Sequence, residues 1–332
     1  MTRNRRAARR SGNWTQISAL LLVLGAVIGS LVLWQFDPVM MQGIRLAQFD
    51  QMQRWHPRPY TPTAVRVVDI DEASLKTYGQ WPWPRTRIAE LVQRLHVAGA
   101  KVIAFDVLLA EPDRTSPKAM AALWQDPQAS VFLKGLSDHD EVLARVLVRK
   151  GVVLGTLFSD SAAAALGKAV PDASPELPYH PVFKGPEGSE QYLVQRLHKF
   201  DAAVWPLPVL SANASGLGAI NFLPDADSVV RRVPLLMRLG EKIVPSLSAE
   251  ALRVYLDAAN HQVRMTDAGV QDVRIGNRVV PADDKAEIWL QYSKDRDMKF
   301  ISAAQVLDGT VGAEQLKGKI VLVGTSVLGL MD

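Results

Sequence analysis

One strand–helix–strand segment, from Val65 to Asp113, constrains the fold of this chain more than any other. Its valine-rich start is typical of a strand. Apolar residues then recur at helical spacing from Ile88 to Ala98, and a second apolar run follows at Val102–Val107. Two strands joined by one helix are parallel, and their crossover is right-handed. The segment therefore predicts a parallel sheet with helices packed on it.

Acidic side chains gather where these two strands end. Asp69 and Asp71 share one face of the first strand because side chains alternate along it. In open parallel sheets, ligands bind in the crevice outside the carboxyl ends of the strands. We therefore expect a binding or structural edge formed by Asp69, Asp71, Glu72, Asp106, Glu111 and Asp113.

The rest of the chain continues the alternation of helices and strands. Gly276-Asn277, between two strand-like runs, predicts a two-residue hairpin turn, and Ser302 with Gln305 predicts a capping box. The expected fold class is α/β, with a mixed, largely parallel sheet flanked by helices and preceded by one transmembrane helix. Helices are predicted at 137–147 and 245–256, strands at 151–158, 216–222, 229–236, 288–292 and 319–323, and a proline-rich loop at 162–190.

The N-terminal stretch predicts a membrane anchor. Five arginines precede Trp14–Phe36, which contains no charged residue. About 20 apolar residues cross a bilayer, tryptophans favour its interfaces, and arginines stay on the cytoplasmic side. A cleaved signal peptide is the alternative, but no Ala-x-Ala-like site follows the apolar run. We expect a cytoplasmic leader at 1–13, a transmembrane helix at 14–36, a membrane-proximal helix and linker at 37–62, and an extracytoplasmic domain at 63–332.

Composition excludes several classes of function. The chain has no cysteine, which rules out disulfides, zinc–thiolate sites and thiol catalysis. Its formal net charge is +4, and subtracting the five leader arginines leaves −1. The net positive charge of the chain comes from the leader arginines, so no nucleic-acid partner is expected. The six histidines show neither paired helical spacing nor a nearby acid and serine, and no catalytic residue is assigned.

Two further groups of residues are candidates for binding. The loop from Gly79 to Arg85 holds Trp81 and Trp83 between prolines. This rigid aromatic loop either lines a ligand pocket or partner surface, or caps the edge of the sheet. Farther along the chain, Arg231 and Arg232 follow two aspartates of a predicted turn, and this cluster either binds an anionic ligand or forms an internal ion-pair network. Its residues are Asp225, Asp227, Arg231 and Arg232.

The carboxylate edge itself allows more than one interpretation. Asp69, Asp71 and Asp106 could hold a divalent cation through oxygen ligands. The same side chains could instead cap loops and pair with Arg85 or Lys101. No other cofactor is indicated.

A hydrolase of the haloacid dehalogenase type is a weaker interpretation of the Asp-x-Asp pair. That family has threonine or valine two positions after the second aspartate, where this chain has Ala73. Its acidic pair follows the later strands, whereas Asp283-Asp284 precedes Thr325 here. The order of motifs therefore argues against this enzyme class.

Several segments, taken in order, carry a family resemblance. They are Asp69–Leu75, Gly79–Arg85, Ala98–Asp113, Gly218–Pro234 with Asn221 and Pro224-Asp225, Pro245–Leu247 and Gly318–Ser326. Over about residues 37–332 the chain resembles the second CHASE family (CHASE type 2), extracellular sensory domains associated with cyclases and histidine kinases. Ser228 departs from the family's pattern, since its Asp-x-Asp-Gly turn has glycine there.

This resemblance implies a bacterial receptor in the inner membrane. Its layout would be one anchor helix, an extracytoplasmic or periplasmic α/β domain, further transmembrane helices, and a cytoplasmic output module such as a nucleotide cyclase or a kinase. The implied partners are the membrane, a second copy in a homodimer, and a small-molecule or ionic ligand. A strand directly before the end leads us to expect that the chain continues after Asp332. A membrane-anchored periplasmic hydrolase and a non-sensing dimerisation domain are the alternatives.

Overall fold

The chain forms two units in the computed structural model. The first comprises Met1–Tyr60 with Gln291–Lys294, and the second Thr61–Leu290 with Asp295–Asp332. The described residues are 18–32, 35, 39–59, 61, 63–123, 126–148, 151–159, 175, 181–267, 269–293 and 300–327.

The helices and strands are as follows. The helices are α1 (18–32), α2 (Val39–Trp55), α3 (Glu72–Tyr78), α4 (Arg85–Val97), α5 (Pro117–Leu123), α6 (Pro127–Lys134), α7 (His139–Leu147), α8 (Ser189–Arg196), α9 (Pro208–Ser211), α10 (Leu247–Tyr255), α11 (Ala303–Leu307) and α12 (Ala313–Leu316). The strands are β1 (Val65–Asp69), β2 (Val102–Phe105), β3 (Val152–Ser159), β4 (Val182–Lys184), β5 (Lys199–Phe200), β6 (Ala202–Val204), β7 (Gly216–Ala219), β8 (Arg232–Pro234), β9 (Leu236–Leu239), β10 (Lys242–Pro245), β11 (His261–Thr266), β12 (Gly269–Ile275), β13 (Arg278–Pro281), β14 (Glu287–Trp289), β15 (Phe300–Ser302) and β16 (Ile320–Gly324).

Helices α1 and α2 belong to the first unit, together with a short segment near residue 292. The Tyr292 backbone N–H donates to Gln53 Oε1 on α2 at 3.1 Å. The transmembrane helix predicted at 14–36 falls partly outside the described residues. Within the described part of the chain, no helix is both long enough and apolar enough to cross a membrane.

A mixed, largely parallel sheet organises the second unit, as the sequence predicts. Its order is β15-β1-β16-β2-β3-β6, and β7 also pairs with β3. Every pairing in it is parallel except that of β3 with β6. The predicted strand–helix–strand segment is present, but its two strands are not adjacent, because β16 from the end of the chain lies between β1 and β2.

Side chains alternate between the two faces of this sheet and contribute to a hydrophobic core on each face. Ile103 and Phe105 of β2 pack with α4 and α7 in one core, whereas Val102 and Ala104 pack with α10 in another. The residues of β2 are buried on both faces because helices cover both sides, as is usual for parallel strands. Helix α10 approaches β7 so closely that a Cβ atom at Gly218 would lie 2.5 Å from the Leu247 backbone.

Three smaller sheets follow the central one. They have the orders β10-β9-β5, β13-β12-β11-β4 and β14-β8. The predicted hairpin joins β12 to β13 through Gly276-Asn277, and Gly276 has the positive φ of 57° that this turn favours. A third core beneath these strands contains Leu193, Leu236 and Val273.

Some sequence predictions need correction. The sequence predicted one helix between β1 and β2, but residues 72–78 form a second one, α3, which Asp71 caps. The strand expected at 229–236 is divided into β8 and β9, which pair with β14 and β10 in separate sheets. The capping box at Ser302 is absent from α11, because the Ser302 hydroxyl donates to Asp71 instead.

Candidate functional site

Asp71 caps a helix at the carboxyl end of β1. Its Oδ1 accepts hydrogen bonds from the Ser74 backbone N–H at 2.8 Å and the Ser74 hydroxyl at 2.6 Å. The Ser302 hydroxyl donates to the same oxygen at 2.8 Å. Burial would raise the pKa of Asp71, but these hydrogen bonds outweigh it and lower the pKa. Asp71 therefore joins β1, α3 and β15 as an ionised cap.

Asp69 ties β1 to the end of β16. It accepts hydrogen bonds from the Ser326 backbone N–H at 2.9 Å and the Ser326 hydroxyl at 2.5 Å. The Thr325 hydroxyl donates to the Ile70 carbonyl at 3.0 Å. Asp69 thus caps the loop after β16 and Asp71 caps α3, so both have the structural kind of role that was one of the two interpretations the sequence left open. Glu72, in the first turn of α3, is exposed.

Asp106 lies at the end of β2, on the same edge. Surrounding protein atoms displace part of the water around its carboxyl and raise its pKa, although the residue is exposed. A Cβ atom at Gly324 would lie 3.7 Å from the Asp106 Cβ. In the part of the chain that the structure describes, no three histidine, aspartate or glutamate side chains lie close enough to hold a metal ion. The predicted divalent cation has no such ligand set there.

A second group of residues surrounds the buried side chain of Arg85 at the start of α4. Its Nε lies 3.2 Å from Asp140 Oδ1, and its Nη2 donates to the Glu111 carbonyl at 2.9 Å. The Arg85 backbone N–H donates to Asp113 Oδ2 at 2.7 Å. The Asp113 backbone N–H in turn donates to Asp140 Oδ2 at 3.0 Å. We call Arg85, Asp113 and Asp140 the Arg85 network.

Asp113 is held in its charged form. Burial would raise its pKa, but hydrogen bonds from Arg85, Thr115 and His139 outweigh burial and lower the pKa. The His139 Nδ1 atom lies 3.1 Å from Asp113 Oδ2. Sequence reasoning named Arg85, Glu111 and Asp113 but missed Asp140 and His139. The available signal was the N-cap at Asp138, which places both missed residues in the first turn of α7.

A cavity of about 460 Å³ lies beside the Arg85 network. Asp113 and Asp140 reach it from the network, and the other lining residues come from the segment before α5, α5 itself, the start of α7 and the segment around α9. They are Pro112, Ser116, Lys118, Ala119, Asp138, Glu141, Leu207 and Val209.

The tryptophan loop packs into the core. Trp83 is buried, and its indole N–H donates to the Gly79 carbonyl at 2.8 Å. Its ring meets those of Tyr78 and Trp81 edge-on, with centroids 6.1 and 6.0 Å away. The half-buried Trp81 packs against the same core. Both rings therefore pack against the core, and the interpretation that the loop caps the edge of the sheet stays a prediction.

The two adjacent arginines form an ion-pair network. The buried Arg231 donates to Asp225 at 3.0 Å and to Asp227 at 2.8 and 2.6 Å. Arg232 donates to Asp225 at 2.6 Å and stacks on Trp289. The Arg231 guanidinium lowers the pKa of Asp227 to about 2.

Two residues near this turn have defined backbone roles. Ser228, where the resemblance implies glycine, has a φ of 64°, in the left-handed region that favours glycine. The Asn221 side chain accepts from the Phe158 backbone N–H and donates to the Phe158 carbonyl, at 2.8 Å each. Asn221 therefore satisfies the backbone of β3 near its end, and the arginine cluster fixes the turn.

A buried acid–base cluster was not found by sequence reasoning. Arg253 on α10 donates to both oxygens of Glu250 at 2.7 and 2.9 Å, and His261 on β11 lies 3.8 Å from Glu250. Burial raises the pKa of Glu250 to about 7 in spite of Arg253, and burial lowers the pKa of His261 to about 4. Glu250 and Arg253 are three positions apart on α10 and His261 follows on β11, but none of the three occurs in a recognised motif.

This cluster predicts opposite pH dependences for two variants. In Glu250→Gln, His261 remains, and the unfolded histidine takes up its proton near pH 6.5 whereas the folded one does so near 4. The stability of this variant therefore falls as the pH drops from 6.5 to 4. In His261→Gln, Glu250 remains, and the folded carboxyl keeps its proton up to about pH 7, against 4.5 when unfolded. The stability of this variant therefore falls as the pH rises from 4.5 to 7.

Urea midpoints at pH 5 and pH 6.5 measure both slopes. The comparison cancels the titration of all other groups, because both variants contain them. Equal slopes in the two variants would contradict the assignment.

The structure therefore divides the candidate residues among separate places. Asp69, Asp71 and Asp106 lie along the sheet edge, Arg85 and Asp113 beside the cavity, Trp81 and Trp83 against the core, and the arginine cluster at its own turn. The architecture defines a mixed α/β domain with a cavity at the start of α7.

Comparison with known families identifies this domain. The family model described as the CHASE2 domain matches residues 19–332. The chain therefore belongs to the CHASE2 family, whose members are sensory extracellular domains of signalling receptors. Searches of curated proteins and of solved structures gave no match.

Proposed function

We propose that this chain is the extracytoplasmic sensory part of a bacterial membrane receptor. It is anchored through 14–36, works as a homodimer, and passes its signal to a cytoplasmic nucleotide cyclase or histidine kinase. The observation that carries the proposal is the CHASE2 match over residues 19–332. Membership in a family of sensory extracellular domains supports placement of 63–332 outside the membrane.

The N-terminal sequence supports the orientation. Five arginines precede an uncharged stretch from Trp14 to Phe36. In this arrangement the arginines stay in the cytoplasm and the residues after the stretch cross to the other side. A receptor of this kind responds when its ligand binds one of two conformations more tightly than the other.

Cysteine labelling tests this topology directly. The chain has no cysteine, so single substitutions supply unique labelling sites. We expect Thr86→Cys, at an exposed position on α4, to react with a membrane-impermeant maleimide in intact cells whose outer membrane is permeabilised. We expect Thr2→Cys, in the leader, to react only after lysis.

Two outcomes would contradict the proposal. Labelling of Thr2→Cys in intact cells, or of Thr86→Cys only after lysis, would reverse the orientation. A mature chain whose mass shows loss of the first 30 or so residues would indicate a cleaved signal peptide rather than an anchor.

A further inference from the structure

The cavity at the start of α7 has the size and wall of a small-molecule site. Its volume of about 460 Å³ falls within the usual range of roughly 300–1,000 Å³ for such sites. Pro112, Leu207 and Val209 form an apolar part of the wall. An apolar wall of this kind buries the hydrocarbon part of a ligand.

The charged residues of the lining favour a cationic ligand. Asp113 and Asp140 are already engaged by Arg85. Glu141 is exposed in the first turn of α7, and its carboxylate makes no hydrogen bond or ion pair with any described residue. The lining contains four carboxylates and one lysine, Lys118, so its formal charge is negative.

A buried hydroxyl in the wall points to a ligand independently of these charges. Ser116 is 2% exposed, and its oxygen accepts a hydrogen bond from the His139 backbone N–H at 3.1 Å. The hydroxyl proton has no acceptor among the described residues. Because buried donors are normally satisfied, the carboxylate of an amino-acid ligand, or a water molecule beside an alkylamine, is the natural acceptor inside the cavity.

We propose that this cavity binds a small molecule with a primary ammonium group and a short apolar chain. Glu141 pairs with the ammonium group, and the wall of Leu207 and Val209 covers the chain. This site rests on the proposed sensory function and adds the chemical class of the signal. Alkylamines and apolar amino acids share this chemistry, and amino acids also offer a carboxylate to Ser116 and Lys118.

Calorimetric titration of the purified full chain at pH 7 tests the ligand class. The probes are n-pentylamine, L-norleucine and pentanoate, which have similar chains but different charged groups. We expect heat of binding from the two ammonium compounds and none from pentanoate. Tighter binding of norleucine would assign the carboxylate to Ser116 and Lys118, and tighter binding of pentylamine would identify the amine as the preferred class.

Variants locate the site. Glu141→Gln should weaken binding about tenfold, because a charge-assisted hydrogen bond is lost. Glu314→Gln is the matched control, since Glu314 is also an exposed glutamate in the first turn of a helix, and it should leave binding unchanged. Val209→Trp, at a partly exposed position, should fill the cavity and abolish binding. Unchanged urea midpoints would show that the variants are folded.

Three results would overturn this assignment. The first is that neither n-pentylamine nor L-norleucine gives heat of binding up to about 10 mM. The second is that pentanoate binds as tightly as the two ammonium compounds. The third is that Glu141→Gln binds them as tightly as the unsubstituted chain. The labelling of Thr86→Cys does not depend on amine binding, so either proposal can fail without the other.

Discussion

Replacing Arg85 with alanine should lower the free energy of unfolding by about 3–5 kcal/mol. The side chains of Arg85 and Asp140 are 8% and 9% exposed, and their salt bridge spans 3.2 Å. Removing the guanidinium leaves Asp140 as a buried carboxylate without its ionic partner, and it also leaves the Glu111 carbonyl without its donor. A charge buried in this way costs far more than an exposed one.

Arg94→Ala is the matched control for this prediction. Arg94 lies on the same helix, is exposed, and lies 3.9 Å from Glu90. An exposed pair of this kind contributes less than about 1 kcal/mol, so its loss should be small. Urea unfolding followed by circular dichroism measures both variants. Equal losses for Arg85→Ala and Arg94→Ala would contradict a structural role for the Arg85 network.

Trp83→Ala should destabilise the second unit by about 3–5 kcal/mol. The Trp83 ring is 2% exposed and packs between Tyr78 and Trp81. The change opens a large cavity and removes the indole donor of the Gly79 carbonyl. The physical cost is therefore both lost packing and an unsatisfied backbone acceptor.

Trp81→Ala provides the comparison within the same loop. Trp81 is only partly buried, so the same truncation removes less protein contact and should cost clearly less. Thermal unfolding of the two variants in parallel measures the difference. A larger loss for Trp81→Ala would mean that the outer tryptophan, rather than Trp83, holds the loop to the core.

Local patterns were sufficient for the family and for most of the central sheet. The apolar runs at Val65 and Val102 and the helical spacing from Ile88 predicted β1, β2 and α4, and the structure confirms all three. The resemblance to the second CHASE family is confirmed by the match over 19–332. These predictions succeeded because hydrophobic period and turn chemistry are properties of neighbouring residues.

Hydrogen bonds and strand pairings between residues far apart in sequence could not be predicted in this way. Asp71 and Ser302 are 231 positions apart, yet their hydrogen bond replaces the capping box expected at Ser302. Insertion of β16 between β1 and β2 likewise depends on a strand from the end of the chain. Sequence spacing predicts on which face of a strand or helix a residue lies, but it does not predict which strand will pair with that element.

The Val65–Asp113 segment shows the difference between what local sequence predicts and what tertiary contacts decide. Its sequence by itself determined a parallel α/β architecture and the residues that gather at strand ends, because each follows from local periodicity and residue type. The family followed from the resemblance of several segments along the chain, which the match over 19–332 confirms. Only the tertiary structure decided that Asp69 caps the loop after β16 and that Asp71 caps α3, while Asp113 joins Arg85 and Asp140 beside a cavity. The physical reason is that a carboxylate's role depends on its burial and on the donors around it, and these come from distant parts of the chain.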